Sequence, residues 1–168
     1  GGMSFGAFGG RADIMDLYDP TKSNAMPHAG TFNNNVLTMN AGIAAMSEVF
    51  TPDVAEALHK RGEALRERLN ALFAEQGVAL QMTGTGSLMN LHAMTGPITR
   101  PEDLAPSDDR VKEMLFFDLL ERGIYIARRG FIALSLAVTD ADLNRFVDVM
   151  REVIVARKGV LPRRGDAA

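Results

Sequence analysis

Between Val78 and Ile154 the hydrophobic pattern runs strand, strand, helix, strand, strand, helix, and that order limits the fold more than any other feature. "VALQMTG" and "SLMNLHAM" read as strands, and "GTGS" at 84–87, which lacks the lysine and helix that follow a phosphate loop, reads as the turn between them. After the proline-punctuated linker "GPITRPEDLAPS", Ser107, Asp108 and Asp109 start a helix in which Val111, Leu115 and Leu119 recur before Gly123. "IYIA" and "FIALSLAV" read as two more strands joined by "RRG", a hairpin turn. Thr139 and Asp142 stand at capping-box spacing, with Asp for the usual Glu, ahead of a last helix built on Leu143, Phe146, Val147, Met150 and Ile154. Two strand pairs and two helices make a small antiparallel sheet covered by helices, an α+β unit.

The first part of the chain has a different character. "GGMSFGAFGG" holds five glycines in ten residues, suited to a tight strand-turn-strand where other groups come close, and it looks cut from something larger. "RADIMDLYDP" is a short helix stopped by Pro20, and "TKSNAMPHAGTFNNN" is a long polar loop. Residues 36–50 are helical, with enough small and apolar residues to be buried closely against neighbours. Thr51, Pro52 and Asp53 supply an N-cap, a first-turn proline and a first-turn acid for a helix that carries Val54, Leu58, Leu65, Leu69, Leu72 and Phe73 on one face until Gly77. The tail "PRRGDAA" reads as frayed, and no internal repeat is visible.

Composition narrows the function classes. The 168 residues, 46% hydrophobic, support a real core, and a formal net charge of −3 offers no basic field for nucleic acid or an anionic membrane. With no cysteine there is neither a disulfide nor a thiolate metal site, which fits a reducing cytoplasm. No apolar run reaches the roughly 18 to 20 residues of a membrane span. The three histidines, His28, His59 and His92, are scattered without metal-ligand spacing, so no metal is expected. The methionines, among them Met39, Met46, Met82, Met89 and Met94, read as adaptable core filling.

Two stretches can carry chemistry. In "HAGTFNNNVLTMNAG", Gly30 and Thr31 lie in a polar loop before a helix, where unpaired amides and the positive dipole end would hold a phosphate; alternatively, Thr31 or one of the three asparagines only caps the helix. Arg128 and Arg129, at the hairpin tip, can grip a carboxylate through a guanidinium fork, or be a solvated turn. Met26 can face a substrate, and His28 can line a pocket or pack.

Together, Gly6-Ala7-Phe8-Gly9-Gly10 and, about twenty residues on, Ala29-Gly30-Thr31 resemble class III pyridoxal-phosphate-dependent aminotransferases, in particular the glutamate-1-semialdehyde aminomutase-like branch. The resemblance covers nearly the whole chain. It implies an α/β architecture, the PLP fold type I (aspartate aminotransferase-like), with residues 1–50 ending the large domain, 51–76 a connecting helix, 77–160 the C-terminal α+β small domain with its antiparallel sheet and 161–168 a tail. It implies pyridoxal 5'-phosphate as cofactor, with Gly30 and Thr31 binding the phosphate of the neighbouring subunit's cofactor in a homodimer. The Schiff-base lysine would precede Gly1; Lys22, Lys60, Lys112 and Lys158 do not hold its place, so catalytic residues are expected in an upstream N-terminal portion and this chain alone should be inactive. The paired Arg128 and Arg129 depart from the aminomutase pattern and favour transamination of an α- or β-amino acid with a keto acid. The alternatives are an aminomutase acting on a γ-amino aldehyde acid and, in another class, a noncatalytic α+β binding or dimerisation module.

Overall fold

A computed structural model describes residues 3–165, and the chain divides into two compact units, Gly1–Val54 and Ala55–Ala168. In the first unit, α1 (Ala12–Met15) runs into a 3-10 turn (Asp16–Tyr18), and α2 (Val36–Ala44) into a π-helical turn (Ala45–Val49). Residues 3–10 form no strand, in keeping with the poor strand propensity of glycine. A Cβ built on Gly6, Gly9 or Gly10 would meet nothing within 4 Å, so the close approach expected of these glycines is not made by described residues of this chain; Gly1 and Gly2 lie outside them. Phe5 instead lays its ring on Gly42, 3.0 Å from where a Cβ would stand, and Gly42 is the one buried residue of α2. The expectation of a buried α2 is therefore corrected: Val36, Leu37 and Ile43 are each about two-thirds or more exposed.

The long α3 (Pro52–Gln76), which lies in the second unit from Ala55 on, buries Leu58, Gly62, Leu65, Leu69, Leu72 and Phe73; Gly62 joins the face expected from periodicity, and Val54, expected on it, is only half-buried. The Thr51 cap is loose, its Oγ1 3.5 Å from the Val54 amide. Strands β1 (Gln81–Thr85) and β2 (Leu88–His92) form a hairpin across the 86–87 turn, and β3 (Phe131–Ala133) adds antiparallel to β2, giving the order β1-β2-β3. Met82 and Met89 point into the core from this sheet with Leu80 and Leu91, as core filling requires, whereas Met46 in the first unit is exposed. Helices α4 (Asp109–Glu121) and α5 (Asp140–Arg157) complete the core through Leu115, Leu119, Phe146, Met150 and Ile154. Each such side chain contributes about 1.5–3 kcal/mol by leaving water. Asp108 caps α4, and the Thr139–Asp142 capping box forms in both directions.

Three expectations change here. "IYIA" is not a strand, because the Ile124 amide closes the C-terminus of α4 on Leu119 and only Ala127 reaches β3, through Phe131 (3.0 Å). "FIALSLAV" is a strand only to Ala133: beyond the Leu134–Ser87 bond its partner strand has turned away, and the chain turns too. The tail is not frayed through its described part. Leu161 is buried, the Ala79 amide donates to Pro162 (2.6 Å) and the Arg164 amide to Gly77 (3.0 Å), so the segment seals the approach to β1. The Asn70 carboxamide likewise satisfies both backbone groups of Met82 (2.8 and 2.9 Å), which covers an edge that would otherwise offer free ladder groups. Within the linker, Pro101–Leu104 form a 3-10 turn that the sequence reading missed.

Candidate functional site

The loop before α2 is arranged from its own backbone. Asn35 caps α2, its Oδ1 accepting from the Leu37 (3.0 Å) and Thr38 (3.2 Å) amides, so the capping alternative holds for an asparagine and leaves Thr31 out of that role. Upstream, the Asn33 amide donates to the Gly30 carbonyl (3.0 Å) and closes a turn, while Asn34 takes the left-handed conformation (φ 57°) that asparagine tolerates. The amides of Gly30, Thr31 and Phe32 and the Thr31 hydroxyl make no hydrogen bond among the described residues, and all three residues are exposed. At Gly30 a Cβ would come within 2.9 Å of the Asn33 Oδ1. A phosphate dianion fits such a turn: consecutive unspent amides form an anion-binding concavity, and the hydroxyl adds a donor.

Beside the turn, Phe8, Tyr18 and His28 pack edge to face with centroids 5.1 to 5.9 Å apart. His28 thus packs, and with Phe5, Phe8, Phe32 and Thr38 it also walls a cleft. The sequence reading missed this trio, because its members come from three irregular segments with no period to link them. Met26 is half exposed and fixed by its amide to Leu17 (2.6 Å). Of the lysines, Lys22 pairs with Asp16, Lys60 with Glu56 and Lys112 with Asp109, each at 2.6 to 2.7 Å, and Lys158 ends α5.

The second unit carries its own cleft, lined by Asp109, Lys112, Glu113, Tyr125, Arg128 and Arg129. Both arginines sit in the turn before β3, closed by the Gly130 amide on Ala127 (2.8 Å). They differ in partner. Arg128 is held by Glu113 at 2.6 Å, whereas the Arg129 guanidinium lies 5.3 Å from the Phe131 ring centroid and meets no carboxylate among the described residues. Sequence reasoning could not separate the two, because Glu113 comes from another element.

His92 is the buried histidine of β2, its Nε2 2.8 Å from the Thr83 hydroxyl and its Nδ1 buried without a partner. Burial, and then the nearby Lys112 charge, hold it below the ordinary imidazole value. Folding therefore favours the neutral ring. The unfolded chain takes up the proton first, so stability is full above about pH 6.5 and falls as the pH drops below it. The urea midpoint should be lower at pH 5.5 than at pH 7.5, and His92→Gln should shrink that difference; an unchanged difference would refute the assignment. Among the described residues no three His, Cys, Asp or Glu side chains gather as a metal site requires, and no helix is long and apolar enough to cross a membrane.

Comparison with known proteins places this geometry in a family. Residues 1–154 match the family model described as aminotransferase class-III. The β-phenylalanine transaminase of Variovorax paradoxus is 55% identical over 163 residues, 97% of this chain and 37% of that protein. The crystal structure of a β-phenylalanine aminotransferase from Variovorax paradoxus superposes with a TM-score of 0.86 at 53% identity, covering 92% of this chain and 36% of that one. A glutamate-1-semialdehyde 2,1-aminomutase from Desulforudis audaxviator is more distant, 37% identical over 90% of this chain and 35% of its own length. The chain thus spans about a third of the length of these relatives, and the aminomutase-like branch gives way to the transaminases as the nearer resemblance. The chain belongs to the class III aminotransferases, PLP-dependent enzymes of fold type I.

Proposed function

We propose that this chain is the C-terminal portion of an enzyme that transaminates a carboxylate-bearing amino acid, a β-amino acid in particular, with a keto acid. The observation that carries this reading is the row of unspent amides at Gly30, Thr31 and Phe32 with the free Thr31 hydroxyl, in a chain 55% identical to a β-phenylalanine transaminase. Gly30 and Thr31 hold the phosphate of pyridoxal 5'-phosphate, the cofactor of this family, across a homodimer interface. When bound, the cofactor supplies the electron sink that lets a proton leave the carbon bearing the amine. The chain's own residues do the holding. Arg129, with no carboxylate partner among the described residues, takes the substrate carboxylate in a bidentate grip; Met26 lines the substrate side; and the lysine that binds the cofactor aldehyde comes from polypeptide outside this chain. In this scheme residues 1–50 close the large domain and 77–160 form the small one.

The full-length polypeptide should show a pyridoxal absorbance that borohydride removes, and should form glutamate from 2-oxoglutarate and a β-amino acid. Thr31→Ala should weaken cofactor retention by about tenfold, the worth of a hydroxyl bonded to a charged group. Retention equal to wild type would overturn the phosphate assignment. Amino-group movement without exchange with any keto acid would favour the mutase, and absence of cofactor binding the noncatalytic module.

A further inference from the structure

The turn that presents the Gly30, Thr31 and Phe32 amides is fastened at its downstream end by its own sequence. The Asn33 amide closes on the Gly30 carbonyl, and two residues further on Asn35 caps α2. Nothing so local holds the upstream end. Among the described residues the last backbone bond before Gly30 is that from the Met26 amide to the Leu17 carbonyl, at 2.6 Å. Pro27 follows with its fixed φ, and then His28, whose ring lies edge to face against both Phe8 (5.1 Å) and Tyr18 (5.9 Å). Phe8 and Tyr18 also meet each other at 5.2 Å, so each ring of the trio braces the other two. The trio is not core packing: Phe8 and His28 are exposed, Tyr18 is half-buried, and none of them joins the hydrophobic cluster of the second unit. What these contacts fix is the path of the chain from Met26 into Gly30. That path matters to an anion, because a row of amides binds tightly only when its directions are set beforehand rather than ordered on binding.

We propose that His28 is a positioning residue for the phosphate turn. Braced by Phe8 and Tyr18, its ring sets the direction of the Gly30 and Thr31 amides before the anion arrives, and it does so by packing rather than by a bond from a ring nitrogen. This rests on the reading of that turn as the seat of the cofactor phosphate.

The test uses the full-length enzyme, stripped of cofactor and reconstituted with pyridoxal 5'-phosphate or with pyridoxal, which lacks the phosphate. His28→Ala should weaken binding of the phosphorylated form by about twofold to tenfold, the range of an edge-to-face ring pair, and leave pyridoxal binding unchanged. His28→Phe keeps the ring and should bind the cofactor as wild type does. Phe8→Leu should give a loss like that of His28→Ala, and the two together no more than either alone. If His28→Ala weakens both forms alike, the effect is a general loss of structure; if His28→Phe loses as much as His28→Ala, a ring nitrogen acts directly; either result refutes the positioning role. Thr31→Ala separates this from the reading beneath it. If Thr31→Ala weakens the phosphorylated form alone while His28→Ala does not, the phosphate turn stands and the role of His28 is refuted. If neither variant changes the preference for the phosphorylated form, the turn does not hold the phosphate and the inference falls with it.

Discussion

Replacing Gly62 with alanine should cost about 2 kcal/mol or more, although alanine is the better helix former by about 1 kcal/mol. Gly62 is buried in the middle of α3, where the 86–87 turn of the β1–β2 hairpin rests on the helix. A Cβ at Gly62 would overlap the Gly86 carbonyl and lie 2.9 Å from the Ser87 amide nitrogen, and these are backbone atoms that cannot swing aside as a side chain does. The turn is also pinned by the neighbours of Gly62 on α3, since the Gly86 amide donates to Glu63 at 2.7 Å and a Cβ on Gly86 would meet the His59 ring. Relief would require lifting the hairpin from α3, which exposes Met82 and Met89 beneath it. At a few degrees per kcal/mol, the midpoint of thermal unfolding should fall by roughly 6 °C or more. Gly159→Ala is the control, because nothing lies within 4 Å of its Cβ and its φ is not positive; it should be neutral or slightly stabilising. Equal behaviour of the two variants would show that the hairpin does not depend on close backbone contact with α3.

That contact was not legible in the sequence, which shows Gly62 only as a gap in an apolar face. Where burial follows from one element's own periodicity, the reading is accurate: all five core positions expected of α5 are buried. The reading fails where the outcome belongs to a partner element. The length of β3 depends on where β2 begins, and "IYIA" loses its strand because its first amide serves α4. The apolar composition of α2 says that the helix can be covered, not that this chain covers it. The candidate site divides along the same line. Motif spacing proposed Gly30 and Thr31 as phosphate-binding residues, and the cap at Asn35 leaves the Thr31 hydroxyl without a bond among the described residues. The adjacent Arg128 and Arg129 are equivalent on paper, and only Glu113, brought in from α4, makes them different.

A second large effect is expected at Asp118, a carboxylate on the buried face of α4. Arg157, in the last turn of α5, reaches it with two parallel bonds of 2.7 and 2.8 Å, and the Asp118 carbonyl accepts from Arg122 at 2.8 Å. Asp118 is 6% exposed, so its charge is tolerable only because the guanidinium fork satisfies both oxygens. Asp118→Asn keeps the shape but removes the charge and one acceptor, and should cost about 2 kcal/mol, the range for hydrogen bonds to charged groups. The Arg157 bonds hold the Asp118 carboxyl below the usual carboxylate range, and folding therefore favours the ionised form. Its contribution is complete above the unfolded value of about 3.9 and is lost as the pH falls through the lower folded value. The stability gap between wild type and Asp118→Asn should thus be constant near neutrality and close below about pH 4. Because the carboxylate is buried, the gap should also persist at high salt, whereas the exposed Glu75–Arg151 pair should be screened. A gap that closes with salt at pH 7 would mean that water reaches Asp118, and that apolar packing alone, rather than this ion pair, ties the end of α5 to α4.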